Sequence, residues 1–126
     1  MLAVPPSAPA TTAVELDTLF KGFADPTRIR ILNLLAAGDL CVCDIVALLQ
    51  LPQPLVSRHL AYLRRTGLVV GTRDLRFAHY RLAEPRGAVH RHLLACVRSC
   101  FRGIMGLDRE RRAAERRARL RRRNAC

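Results

Sequence analysis

At 126 residues the chain is one domain in length; half of its residues are apolar, tryptophan is absent and the formal charge is +12. That length supports one modest core, and the scarcity of aromatics points to a core of Leu, Ile, Val and Ala. No apolar run approaches the ~20 residues of a membrane span, and the excess of positive charge favours a polyanionic partner over an acidic or lipid-embedded role.

The charge is uneven. Residues 1–105 carry 13 basic against 7 acidic side chains, and residues 106–126 carry 9 arginines against 3 acids, so each part contributes +6. The opening "MLAVPPSAPATT", residues 1–12, lacks a basic start and is broken by prolines. It is expected to be a disordered leader rather than a secretion signal, which places the protein in the cytoplasm.

A first helix is predicted from about Val14 to Phe23, where Leu16, Leu19, Phe20 and Phe23 form one apolar stripe. "ADPTRIRILNLLAAG" follows as a second helix, with Asp25 as N-cap, Pro26 at the first helical position and Gly38 closing it. A third helix runs from about Val42 to Gln50, and "LPQP" breaks it. A fourth starts near Pro54, turns Val56, Leu60 and Leu63 inward, and ends at Gly67. "LVVGTRDLRFAHYRL" alternates around a turn and reads as a β-hairpin. From about Pro85 a fifth helix is predicted through "RGAVHRHLLACVRSCFRGIMGL". The Arg-rich residues 107–126 are set apart as a tail that prolongs this helix or frays, beyond a domain spanning 13–106.

Two short helices joined by a tight turn, the second basic on its outward face, make a helix-turn-helix, and a hairpin directly after it is a wing. The expected fold is therefore mainly α with a small β-hairpin wing, a winged helix-turn-helix. No Gly-rich phosphate loop, HExxH helix or nucleophile with its base is visible, so an enzyme is not expected.

The fourth helix suits DNA. Its first turns offer Gln53, Ser57, Arg58 and His59, and a recognition helix meets base edges with its N-terminal residues. Arg pairs with guanine and Gln with adenine in a bidentate way. Arg73 and Arg76 at the wing tip suit phosphate or minor-groove contact. For His59 a satisfied core or surface histidine is the competing reading; for Arg64 and Arg65 it is a solvated helix end.

The stretch from "FADPTRIRILNLLAAG" to "HYRL", with "QPLVSRHLAYLRRTGLV" between, resembles the ArsR/SmtB family of winged-helix metalloregulatory repressors. The resemblance covers about Leu16 to Leu82 closely. It implies a homodimer, joined through the first and fifth helices, that binds operator DNA and releases it when effector binds. "LCVCD", at 40–44, resembles the metal box of the arsenic- and antimony-responsive members.

The residues themselves give that box weight. If the third helix starts at Val42, Cys41 is its N-cap, a place where Ser, Thr, Asp or Asn stabilise by roughly 1 kcal/mol more. Giving up that stabilisation suggests a task for the thiol. A helix N-terminus favours thiolate, the form that binds soft ions. Side chains at i and i+2 of a regular helix point apart, so Cys41 and Cys43 can hold one ion only because they straddle the helix start. The competing reading makes both small buried apolar residues.

The best-known arsenic boxes of the family carry a third cysteine where this chain has Val46. Trivalent arsenic prefers three sulfurs, so Cys96 and Cys100, one turn apart on the fifth helix, are candidate donors; packing is the alternative for them. Cys126 reads as incidental. The family's zinc pattern on the fifth helix is not matched, because Ala88 and Phe101 stand at ligand positions, and His90 and His92 read as surface residues. The leading expectation is a repressor that senses trivalent arsenic or antimony through Cys41 and Cys43, with no organic cofactor. The alternatives are the same repressor with a dithiol persulfide or redox switch, and a basic nucleic-acid packaging protein with structural thiols.

Overall fold

The computed structural model describes residues 12–74 and 77–123. Helix α1 (Ala13–Gly22) begins at Thr12, whose hydroxyl accepts the Glu15 N–H while the Glu15 carboxylate accepts the Thr12 N–H. This reciprocal pair satisfies two of the backbone donors that a helix start leaves open. Helix α2 (Pro26–Leu35) is capped one way only: the Asp25 carboxylate accepts the Arg28 N–H at 3.0 Å, with Pro26 pre-set for the first turn. Its Ile31, Leu32, Leu34 and Leu35 are buried, and with Leu60 and Leu63 they form the centre of the core.

Helix α3 (Val42–Leu49) ends at Gln50, which takes a left-handed conformation (φ 56°). Helix α4 (Gln53–Thr66) follows after two residues and buries Val56, Leu60 and Leu63 completely, as its sequence stripe predicts. This is the helix-turn-helix. Strands β2 (Val69–Asp74) and β3 (Phe77–Leu82) pair antiparallel from Val69↔Leu82 to Asp74↔Phe77 and form the wing. A two-residue strand β1 (Leu40–Cys41), too short to leave a pattern in the sequence, adds to β3 with Leu40 opposite Tyr80 and Cys41 opposite His79. The sheet order is β1-β3-β2.

Beyond the wing the structure departs from the expected long fifth helix. Helix α5 (Ala88–Ser99) stops at Cys100. Gly103 (φ 86°) and Gly106 (φ 87°) then reverse the chain in conformations that non-glycine residues rarely adopt. Helix α6 (Leu107–Arg123) returns across α2, α3 and β1. Residues 107–123 are thus joined to the domain rather than forming a detached basic tail. Ala114 and Ala118 lie in the core, and their small side chains allow the close approach.

Three polar anchors fix α6. Arg30 forks onto Glu110 (Nη2 to Oε2 2.6 Å) and also donates to the Leu49 carbonyl at the end of α3. Arg111, 3% exposed, donates through Nε to the Asn33 carbonyl and side chain, and through its Nη atoms to the Val97 and Arg98 carbonyls that end α5. Asn33 in turn donates to the Leu107 carbonyl at 2.9 Å. Burying a guanidinium is costly unless its donors are filled, and carbonyls at the end of a helix suit it.

Candidate functional site

The outward face of α4 carries Gln53, Ser57 and Arg58, all exposed in its first two turns. No polar cap in α4 competes for these side chains. His59 is different. Its ring is half-buried against the start of α2, with Nδ1 3.4 Å from Arg28 Nη1 and 3.8 Å from Asp25 Oδ2. One position further round the helix is enough to turn it from solvent to α2, so it does not share the face of the other three. Arg28 itself lies 4.2 Å over the Tyr62 ring and donates to the Lys21 and Gly22 carbonyls, tying α1 to α2 and α4. Arg64 and Arg65 end α4 in solvent, where cations suit the helix dipole. Arg73 is exposed near the end of β2. Arg76 and Cys126 lie outside the described residues.

The second site is at the start of α3. Cys41 is the N-cap, in extended conformation (φ −83°, ψ 163°), and Cys43 occupies the first turn. The extended N-cap brings the two side chains to the same side, and their sulfurs are bonded to each other. This disulfide spans a single intervening residue and joins only the end of β1 to the adjoining first turn of α3, so it is no scaffold. Cys41 is fully buried and Cys43 exposed. Cys41 does cap the helix: its Sγ accepts the Asp44 N–H at 3.3 Å, and Asp44 accepts the Cys41 N–H at 3.3 Å.

Asp44 was not singled out in the sequence beyond its place in the box, and it organises the site. Its carboxylate and both sulfurs lie within 4.8 Å of one another, a grouping suited to one ion. Among the described residues no other Cys, His, Asp or Glu joins them. Arg117 Nη1 reaches Asp44 Oδ1 at 3.1 Å; Arg121 Nη2 reaches Asp44 Oδ2 at 2.6 Å and Cys41 Sγ at 2.8 Å. Burial works to raise the Asp44 pKa, but the hydrogen bonds from Arg121 and Arg117 outweigh it and hold the carboxyl below its ordinary range. Two arginines of α6 therefore hold Asp44, and one of them, Arg121, also reaches the buried sulfur. The sequence signal was their spacing, four residues apart on one helix face, but an Arg-rich stretch offers many such pairs.

Cys96 and Cys100 are not brought to this site. They sit on α5 and interact with each other, and that hydrogen bond, with burial, pushes the Cys96 thiol up. Cys100 is exposed. His92 is exposed as expected, but His90 is not a surface residue: it is 4% exposed, its Nδ1 accepts the Arg86 N–H at 3.2 Å, and its Nε2 is buried with no partner among the described residues. Burial, and then the nearby Arg86 charge, lower its pKa. It lines a groove of about 350 Å³ between α1, the end of α4 and the start of α5.

Comparison with known proteins agrees with this geometry. Residues 25–70, which run from the cap of α2 into the wing, match the family described as "Bacterial regulatory protein, arsR family". The chain is 48% identical over 66 residues to the arsenical resistance operon repressor of Escherichia coli (strain K12), covering 52% of this chain and 56% of that protein. It is 37% identical over 93 residues to the arsenic resistance transcriptional regulator ArsR1 of Pseudomonas putida (strain KT2440), covering 73% of this chain and 67% of that protein. Of the first of these relatives the chain thus matches little more than half the length. Among solved structures, HlyU from Vibrio cholerae N16961 superposes with a TM-score of 0.62 at 29% identity, over 71% of this chain and 91% of that one.

Proposed function

The chain belongs to the arsR family of bacterial regulatory proteins, and from that premise we propose that it is an operator-binding repressor released by trivalent arsenic or antimony at Cys41 and Cys43. Gln53, Ser57 and Arg58 would read bases in the major groove, with Arg73 on the flanking backbone or minor groove. His59 falls away from this set because it faces α2. A second copy of the chain would complete the operator-binding unit through α1 and α5, and Val14 and Phe20 on α1 are 75% and 53% exposed, as an uncovered interface requires. Among the described residues no helix is long and apolar enough to cross a membrane, in keeping with a site of action on DNA in the cytoplasm.

The observation that carries the effector reading is the position of the sulfurs. Cys41 is at once the last residue of β1, paired with His79 of the wing, and the N-cap of α3, which leads into α4. A ligand that draws the two sulfurs onto one atom must adjust the N-cap, and the N-cap is paired with the wing and begins the helix that leads into α4. Release then follows if the ligand binds better to the resulting arrangement than to the DNA-bound one. The test is operator binding by the reduced protein as arsenite is titrated. Release should occur at concentrations at which divalent zinc has no effect; retention of DNA at saturating arsenite would defeat the reading. A second reading is favoured by the sulfur–sulfur bond itself: a dithiol switch, in which an oxidant takes two electrons and the thiols give up two protons. Release by a mild oxidant, reversed by a phosphine reductant, would select it.

A further inference from the structure

We infer that Arg121, together with Asp44, forms an oxygen-recognising half of the thiol site, so that the site selects a trivalent arsenical that keeps a hydroxyl over one that carries a methyl group. This rests on the effector reading above and adds to it which arsenical the site prefers.

Only two sulfurs are at hand, and among the described residues no third thiol approaches them. When arsenous acid binds two thiols, two As–S bonds form and two As–O bonds break. The two hydroxides leave with the two thiol protons as water, and arsenic stays trivalent. The third As–O bond remains, so the bound form presents a hydroxyl. A methylarsonous acid loses both of its hydroxyls in the same exchange and presents a methyl group in that place.

The surroundings of the sulfurs match a hydroxyl in both senses. Arg121 Nη2 already lies 2.8 Å from Cys41 Sγ, and the Nε of the same guanidinium is buried with no hydrogen-bond partner among the described residues. A buried donor without a partner is uncommon and costly, and here it belongs to the guanidinium whose Nη2 already contacts Cys41 Sγ. Asp44 supplies the acceptor. Its Oδ2 takes donors from Cys41 and Arg121, whereas Oδ1 takes one, from Arg117, and a carboxylate oxygen has room for a second. A hydroxyl can accept from Arg121 and donate to Asp44; a methyl group can do neither and leaves Nε unfilled. Sites with a donor waiting for a substrate oxygen reject the analogue that lacks it. Arg121 is held in place by the docking of α6, so this preference is a property of the C-terminal helix and not of the cysteine box alone.

The test is equilibrium binding of arsenite and of methylarsonous acid to the full chain, kept reduced with a phosphine, read from the ultraviolet absorbance of the sulfur–arsenic bonds. A small 1,3-dithiol in the same buffer sets the intrinsic ratio of the two affinities. Relative to that dithiol the protein should favour arsenite by about tenfold or more, the scale of one hydrogen bond to a charged group. Arg121→Met should return the ratio to that of the free dithiol, with thermal melting to confirm that α6 is still docked. If that variant does not fold, Arg121→Leu, which also has no donor, serves in its place with the same expectation. A wild-type ratio equal to that of the dithiol, or a ratio that neither variant moves, overturns the inference while leaving the effector reading intact. Failure of both arsenicals to bind overturns the effector reading, and this inference with it.

Discussion

Arg111 Nε donates to the backbone oxygen of Asn33 at 2.8 Å and to its side-chain oxygen at 3.0 Å, across 78 residues of sequence. With the same guanidinium closing the end of α5, one side chain holds three helices together. Arg111→Met should therefore destabilise the protein by at least about 1–3 kcal/mol, because Asn33 and two carbonyls lose their donor inside the fold. Arg112→Ala, one step round on the exposed face, should stay within about 0.5 kcal/mol of the parent. Urea unfolding of both variants checks this. Equal losses would mean that α6 is held by helix propensity and not by its buried anchors.

Deleting residues 107–126 should be more damaging than the loss of a solvated tail. It uncovers the core against which Ala114 and Ala118 pack and strips Arg30 and Asp44 of their partners. A lower melting temperature and weaker cooperativity are expected in calorimetry. A truncated chain that melts like the parent would show that α6 contributes nothing to stability.

Arg58→Ala should cost about 1–3 kcal/mol of operator affinity, concentrated at one base position, if Arg58 reads guanine from the exposed face of α4. Binding to a panel of single-base operator variants measures it. A uniform loss on every sequence would make Arg58 a phosphate contact instead.

Cys41→Ser and Cys43→Ser should each keep operator binding and lose release by trivalent arsenic. Serine at Cys41 preserves the cap that the sulfur now makes with the Asp44 N–H and is a better cap, whereas its oxygen is a poor ligand for a soft ion. Cys96→Ser and Cys100→Ser should respond as the parent does, since neither thiol is part of the Cys41, Cys43 and Asp44 grouping. Gel-shift titration with arsenite decides. Loss of release in either α5 variant would bring the fifth helix into the sensor.

His90 makes stability depend on pH. Its folded pKa is lowered by burial, and by Arg86, from the ordinary value of 6.5. The unfolded chain thus binds the proton more readily, so this contribution is complete above about pH 6.5 and falls away as the pH drops through the folded value. The groove around it also holds Glu15, Arg64, Arg65 and Arg86, and of these charges it is Arg86 that adds to the penalty for a charged imidazole. The drop in melting temperature between about pH 7.5 and about pH 5.5 should shrink in His90→Gln. An identical drop in the variant would assign the effect to other groups.

The sequence by itself determined the parts whose information is local. The cap at Asp25, the apolar stripe Val56, Leu60 and Leu63, the Gly67 end of α4 and the alternation of the wing each lie within a few residues of what they specify, and the helix-turn-helix follows from their order. The N-cap position of Cys41 was legible for the same reason. What only the tertiary structure decided depends on contacts between distant residues. Strand β1 is two residues long and exists because β3 is beside it. His59 and His90 differ from their neighbours only in which helix they face. Helix α6 turns Arg111, Arg121, Ala114 and Ala118 toward the domain, and no apolar periodicity can announce an inward stripe made of arginine and alanine. Its place over Asp44 and Cys41 follows from partners 73 to 80 residues away, and a charge is buried or solvated according to whether such partners are there to receive it.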